Sequence, residues 1–268
     1  MKSVKIVVPI YRSELPELEL KLLRHNLQQL KQFDIVLLMP ISLEANGLLD
    51  VISSFNIGAR IDVLRVSTEW LGKENGVKGY NKMMLSQSFY ELFSDYEYVL
   101  ICQTDAIIFK GDDLEWWCNR GYDYVGAPWF KEAKYNNPIL KTFYALKHKF
   151  SSAKTPFSRV DILGKIGNGG LSLRRVKSHI DALNMHQEKA AEFIERSGHY
   201  IYNEDIFFAM IPSEFSYPTY EEAFKFSIDL KPKKSMAMLQ KGELPFGCHA
   251  LTQPKIYSYW QELLAKIL

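Results

Sequence analysis

Four short segments hold side chains that could act on a phosphate, a metal ion or a hydroxyl. Gln103-Thr104-Asp105-Ala106 follows the apolar run 98–102. A carboxylate at the end of a buried central strand adds little to stability, whereas its hard oxygens suit Mg2+ or Mn2+ held against a diphosphate. Gly167-Asn168-Gly169-Gly170-Leu171-Ser172-Leu173-Arg174-Arg175 places paired glycines before an alternating strand, which lets the backbone approach a ligand closely. Tyr202-Asn203-Glu204-Asp205-Ile206-Phe207-Phe208 sets two adjacent carboxylates before an apolar helix. There one could act as a general base and the other could hold an acceptor hydroxyl. Pro245-Phe246-Gly247-Cys248-His249-Ala250 offers a histidine able to reach a metal held by Asp105. Each segment also has a plainer reading. Asp105 could cap the next turn, the glycines could form a hairpin, and Asn203 could cap a helix whose dipole favours Glu204 and Asp205.

The elements that must position these segments follow from apolar periodicity. Residues 4–9, 34–39, 61–66 and 98–103 read as short buried strands, and 17–31, 43–55 and 81–93 as helices between them. Four strand-helix alternations in about 105 residues imply a mostly parallel, doubly wound α/β sheet flanked by helices. Ligands of such sheets bind beyond the carboxyl ends of the strands. Those ends are 9–12, 67–82 and 103–106, all rich in polar residues. The second half is less regular: a strand at 122–127, a strand entry at 167–174, helices at 176–197, from 204 and over 254–267, and an irregular stretch at 245–251.

Composition narrows the class. The 268 residues are 47% hydrophobic with a net charge of +2, which gives no reason to expect a nucleic-acid partner. The cysteines Cys102, Cys118 and Cys248 are too few and too dispersed for a disulfide framework or zinc site, so a reducing, cytoplasmic setting is expected. The apolar run 4–8 is too short for a signal peptide, and no run reaches the ~18 residues of a membrane span.

The order of the motifs carries a resemblance. A strand-end Asp, a Gly-Gly strand with Ser and Arg, a Glu-Asp pair before an apolar helix and a late His resemble the GT-A-fold glycosyltransferases of bacteria. More narrowly, the chain resembles a poorly characterised glycosyltransferase-like family through Tyr80-Asn81, Gln103–Ala106, Gly126-Ala127-Pro128-Trp129, Asn168–Arg174 and Asn203–Phe207, over roughly residues 4–255. The resemblance implies one GT-A domain over 1–268, with a nucleotide-binding half (1–127) and an acceptor-binding half (128–268). It implies transfer of a sugar from a nucleotide-diphosphate sugar to a glycan or lipid-linked acceptor, in surface-polysaccharide assembly.

By the same resemblance Asp105 and His249 are the metal ligands for Mn2+ or Mg2+, with Gln103 standing where a further acid is usual. Pro9, Ile10 and Tyr11 cup the nucleotide base. Gly169 and Gly170 form the sugar floor, with Asn81 and Thr104 beside the donor. Asp205 is the base, and Glu204 or its neighbour touches the acceptor. Lys78 or Lys82 adds positive charge at the diphosphate. A base at Asp205 implies inversion, while a retaining reaction needs none there. Two alternatives compete: a sugar-phosphate nucleotidyltransferase, disfavoured because 9–14 contains no glycine, and a non-catalytic carbohydrate-binding protein, which Gln103 favours. The stretch 130–165 carries eight Lys or Arg against two Asp or Glu. With Phe143, Tyr144, Phe150 and Phe157 it reads as an acceptor-side element, its charge centred on Lys141, Lys147 and Lys149. A peripheral contact with the inner membrane face, through this stretch or the C-terminal helix, fits the same charge. A solvated insertion is the plainer alternative.

Overall fold

The computed structural model describes residues 2–72, 74–150 and 155–268. Its main sheet has six strands in the order β3-β2-β1-β4-β7-β6. These are β1 (Lys2–Pro9), β2 (Asp34–Pro40), β3 (Ile61–Val66), β4 (Tyr96–Cys102), β6 (Tyr124–Val125) and β7 (Leu171–Arg175). The first four pair in parallel, as the strand-helix alternation predicts, while β7 runs antiparallel to both β4 and β6. The chain after residue 120 therefore completes the sheet begun by the first hundred residues.

Alternation along each central strand separates two cores. In β1, Val4, Ile6 and Val8 face one cluster and Val7 the other; in β4, Tyr98, Leu100 and Cys102 oppose Val99 and Ile101. Successive side chains point to opposite faces, and helices cover both, so these strands are apolar at nearly every position. The helix Glu17–Gln29 buries Leu23 and Leu27 against the first face. Helices Gly76–Met84, Gln87–Glu91 and Glu204–Met210 cover the second with Met83, Phe89 and Phe207.

Two expected helices are broken. The one expected over 81–93 is interrupted at Ser86, whose φ of −103° and ψ of 125° are extended. That expected over 176–197 divides at His186 into Val176–Met185 and Gln187–Glu195. In the first case the backbone leaves the helix at Ser86 and the next helix begins at Gln87, with the Ser86 hydroxyl 2.7 Å from that of Ser88. The segment expected to be irregular at 245–251 instead contributes to a second, three-stranded sheet: β5 (Ile107–Ile108), β8 (Ser227–Ile228) and β9 (Gly247–Cys248) in the order β5-β9-β8. Strands of two residues are too short for alternation to reveal.

Candidate active site

The small sheet assembles the first part of the site. Ile107 of β5 opposes Cys248 of β9 in antiparallel register, and Ile228 of β8 opposes Cys248 in parallel register. Stepping one or two residues off those pairs brings Asp105, His249 and Asp229 abreast. Leu251 N–H donates to the Asp105 carbonyl at 3.0 Å and His249 N–H to that of Ile228 at 3.2 Å, fixing both crossings. His249 Nε2 lies 3.1 Å from Asp105 Oδ1 and 3.1 Å from Gln103 Oε1, and its Nδ1 lies 3.7 Å from Asp229 Oδ1. Thr252 Oγ1 donates to the other Asp105 oxygen at 3.0 Å.

Two carboxylates face the His249 ring and hold a proton on it. Burial would lower the His249 pKa, but the hydrogen bond to Asp105 and the charges of Asp105 and Asp229 overcome it and push it up to about 10. Burial likewise opposes the charge on Asp105, yet His249 and Thr252 outweigh it and hold that carboxyl below its ordinary value. Sequence reasoning did not reach Asp229, which sits in no motif; its only signal is that it follows Ser227-Ile228, a strand too short to see.

The second part is the glycine segment. Asn168, at a φ of 79°, accepts from Gly170 N–H through its side-chain oxygen at 3.0 Å and donates its amide to Asp229. Gly169 and Gly170 are glycines because of what packs on them. A Cβ at Gly169 would collide with Glu204 Oε1, and one at Gly170 with the His249 ring. These two residues therefore join the floor of the cavity to both charged clusters.

The third part is the start of the helix Glu204–Met210. Glu204 is 2% exposed. Its carboxylate accepts a two-pronged pair of bonds from Arg174, 2.9 Å from Nη1 and 3.0 Å from Nη2, and Arg174 also donates to Tyr90 Oη at 3.0 Å. This departs from the expectation that Glu204 touches an acceptor: its oxygens are taken up inside the protein. Asn81, 1% exposed, spans the same corner, accepting from Glu204 N–H at 3.1 Å and donating to Asn203 Oδ1 at 3.1 Å. Asn81 is thus a positioning residue at the cavity wall.

Asp205 turns the other way. It is half-buried in the cavity wall, with Oδ1 accepting from Ile206 N–H at 2.8 Å. Burial first, and then the neighbouring Glu204 charge, raise its carboxyl to about 7. Such a group exchanges a proton near neutrality, as a general base must.

These parts surround one cavity of about 680 Å³, whose walls include Tyr11, Tyr80, Gln103, Gly170, Asp205 and His249. A smaller recess of about 260 Å³ adjoins it, sharing Tyr11, Arg12 and Gln103 and adding Pro9, Thr104 and Asp105. Both open where the parallel strands end, as ligand sites of such sheets do. Arg12, absent from the expected donor site, lines both; Glu19 pairs with it at 2.5 Å and also accepts from Thr104 Oγ1 at 2.5 Å. Three expected contacts fall elsewhere. Ile10 is 1% exposed and continues the β1 ladder by donating to Leu38 O at 2.8 Å. Lys78 is exposed beside Gly198, and Lys82 is paired with Glu69 at 2.5 Å.

The family described as "Protein of unknown function (DUF5672)" matches residues 60–249. The chain belongs to that family. No curated protein matches it by sequence. Solved structures share its fold across nearly the whole chain. Galactosyltransferase LgtC, in complex with donor and acceptor sugar analogues, is 12% identical with a TM-score of 0.58, covering 98% of this chain and 94% of that one. Mouse xyloside xylosyltransferase 1 in its apo form is 12% identical with a TM-score of 0.51, covering 93% and 97%. Glycosyltransferase GlyE of Streptococcus pneumoniae TIGR4 is 12% identical with a TM-score of 0.55; the match covers 100% of this chain and 60% of that protein. This DUF5672 chain therefore has the GT-A fold that its motif order implies.

Proposed function

We propose that this DUF5672 protein transfers a glycosyl group from a nucleotide-diphosphate sugar to a hydroxyl of a glycan or lipid-linked acceptor. One observation carries the reading. The cavity at the strand ends is walled by His249 on one side and, across the Gly169–Gly170 floor, by a half-buried Asp205 carboxyl raised to about 7, while Asp105, 3.1 Å from His249, lines the adjoining recess. A diphosphate leaving group needs positive charge at one end of a site, and an attacking hydroxyl needs a proton acceptor at the other. LgtC, of the same fold, is described with donor and acceptor sugar analogues bound.

The side chains fit a divalent cation once that ion displaces the proton Asp105 and Asp229 hold on His249. Two donors ~2.1 Å from one ion at a right angle stand ~3 Å apart, and His249 Nε2 is 3.1 Å from both Asp105 Oδ1 and Gln103 Oε1. Asp229 behind Nδ1 would orient the ring as an outer carboxylate does at metal sites. Among the described residues no three His, Cys, Asp or Glu side chains converge as a metal cluster. Asp105 and His249 would therefore be the strong protein donors, with Gln103 contributing only a neutral oxygen. Bound there, Mn2+ or Mg2+ would neutralise charge on the departing diphosphate.

The protein's own groups perform the rest. Tyr11 and Pro9 flank the recess on the nucleotide side, and Arg12 meets the diphosphate. The acceptor oxygen attacks the anomeric carbon, and its C–O bond forms as the bond to the diphosphate oxygen breaks. Asp205 takes the hydroxyl proton and the nucleoside diphosphate leaves with the electron pair. Attack from the side opposite the leaving group inverts the anomeric centre. Glu204, held by Arg174, fixes the helix start that aims Asp205.

The test uses the purified chain with a panel of nucleotide-diphosphate sugars, with and without Mn2+. One donor should raise the melting temperature, more with the metal, and release nucleoside diphosphate slowly to water. A ligand that binds only the native state raises its stability by RT ln(1 + [L]/Kd), about 2.7 kcal/mol at a hundredfold excess over Kd. No shift and no hydrolysis with any donor would overturn the reading.

A further inference from the structure

A second cavity of about 590 Å³ lies under the 130–165 stretch, and its chemistry differs from the first. Phe130, Tyr135, Tyr144, Phe157 and Tyr200 give it aromatic walls. Lys134, Arg159 and Lys231 line it, and Lys234 stands beside them. Glu132 is its one carboxylate, and it serves three lysines at once: Lys231 at 2.7 Å, Lys134 at 3.0 Å and Lys234 at 3.3 Å. Their hydrogen bonds, Lys231 foremost, pull its carboxyl down to about 2. One negative charge among three lysines leaves the cluster with a positive surplus. Arg159 adds to it, being exposed and without a carboxylate partner among the described residues. Lys231 reaches the cavity from a left-handed backbone, at a φ of 55° and a ψ of 53°, which a side chain rarely adopts.

Two chain segments wall both cavities. His199, Tyr200 and Ile201 line the second while Asn203, Glu204 and Asp205 line the first. Consecutive Cα atoms are ~3.8 Å apart, so Ile201 and Asn203 are separated by at most ~7 Å. Likewise Asp229 packs against Asn168 and His249 of the first cavity while Lys231, two residues on, lines the second. The two cavities are therefore neighbours, divided by the Ile201–Asn203 and Asp229–Lys231 segments.

We propose that this aromatic, lysine-rimmed cavity binds an anionic saccharide, a sugar bearing carboxylate or phosphate, and that this sugar is the acceptor whose hydroxyl reaches Asp205; its role as acceptor rests on the transferase reading above. Aromatic faces cover the apolar side of a sugar ring, and the uncompensated cations select and concentrate the charged one. Of the aromatics expected to cover an acceptor, Tyr144 and Phe157 do line this cavity, whereas Phe143 and Phe150 are 58% and 81% exposed. The side chains of Lys141, Lys147 and Lys149 lie outside the described residues.

The test is a glycan array probed with the full-length chain, comparing uronic-acid-bearing, phosphate-bearing and neutral saccharides of matched backbone, at low and high salt. Acidic saccharides should bind, and binding should fall as salt screens the charges. Arg159→Glu should weaken acidic saccharides about tenfold, the loss expected for a charged hydrogen bond. Tyr200→Ala should weaken them through the aromatic wall alone; melting temperatures establish that both variants are folded. The carboxylate and phosphate arms decide which anion is preferred. Equal binding of neutral saccharides, indifference to both substitutions, or no saccharide binding would overturn the proposal. A chain that binds acidic saccharides yet turns over no nucleotide sugar keeps the cavity and removes only the word acceptor. A chain that turns over a donor yet ignores acidic saccharides removes the cavity and keeps the transferase.

Discussion

Asp205→Asn separates catalytic use from structural use of one carboxyl, because it should lower turnover and raise stability together. The native Asp205 carboxyl moves from an ordinary 3.8 to about 7, through burial and then Glu204. That is roughly three powers of ten in proton affinity at ~1.4 kcal/mol each, an upper bound of ~4 kcal/mol. Asp205 remains partly open to the cavity, so ~2 kcal/mol is the expected size. The sign follows from linkage. Between pH 4 and 7 the folded protein holds a proton that the unfolded chain has released, so this group's contribution falls as pH rises through 7. Asparagine keeps the acceptor for Ile206 N–H and carries no charge. At pH 8 the variant should melt several degrees higher than the native chain, taking ~2–4 °C per kcal/mol for a protein of this size. Near pH 4 the two should coincide. Turnover should fall ~10²–10⁴-fold with donor affinity retained, as for loss of a general base. Thermal melts at both pH values, with rates of nucleoside-diphosphate release, give the two readouts. A variant less stable at pH 8, or one with native turnover, would refute the reasoning.

The other perturbations test the supports. Turnover of the native chain should rise with pH through about 7, because Asp205 works only when deprotonated; a rate flat from pH 6 to 8 would exclude it as the base. Gly170→Ala pushes a methyl group into the His249 ring and should abolish the Mn2+-dependent part of the donor's thermal shift, read by melting with and without the metal. Glu204→Gln leaves Arg174 buried with an unneutralised charge, and denaturant unfolding should show a loss of ~3–5 kcal/mol. His249→Ala and chelation of the native protein should give the same reduced donor shift; retention of the full metal effect in the variant would remove His249 from the metal site.

The parallel part of the fold was legible because its central strands are buried on both faces and its helices amphipathic, so 4–9, 34–39 and 98–103 stand out as apolar blocks, while the edge strand 61–66 shows through Ile61, Val63, Leu64 and Val66. Asp105, Gly169, Gly170 and Asp205 were legible through their place beside such blocks. What escaped depends on long-range pairing. Asp229 enters through two-residue strands that no periodicity marks. Glu204 looks like an exposed helix-start acid until Arg174, thirty residues away, is seen to consume it. Arg12 reads as a loop cation until Glu19 and Thr104 place it at the cavity mouth.

The Arg174–Glu204 pair explains why two adjacent carboxylates can do different work. Two charges side by side in a poorly solvated wall repel, and one way to keep both is to neutralise one of them. Arg174 is 0% exposed, and it commits its guanidinium to Glu204, Tyr90 and Ser172. Glu204 is thereby fixed as a charged, immobile neighbour. Asp205, one residue on and facing the cavity, makes no ion pair among the described residues and meets the Glu204 field in a desolvated wall, with Arg174 opposing it. The backbone N–H of Ile206 compensates it only in part. A buried ion pair of this kind contributes little net stability by itself, since desolvation offsets attraction. Beside it, burial first raises the Asp205 carboxyl, the Glu204 charge adds to that and Arg174 opposes it, and Gly169 is what lets the floor close over the pair. A side chain at Gly169 would displace Glu204 Oε1 from Arg174, loosen that field and move Asp205 at the same time, so the glycine floor and the base act as one unit.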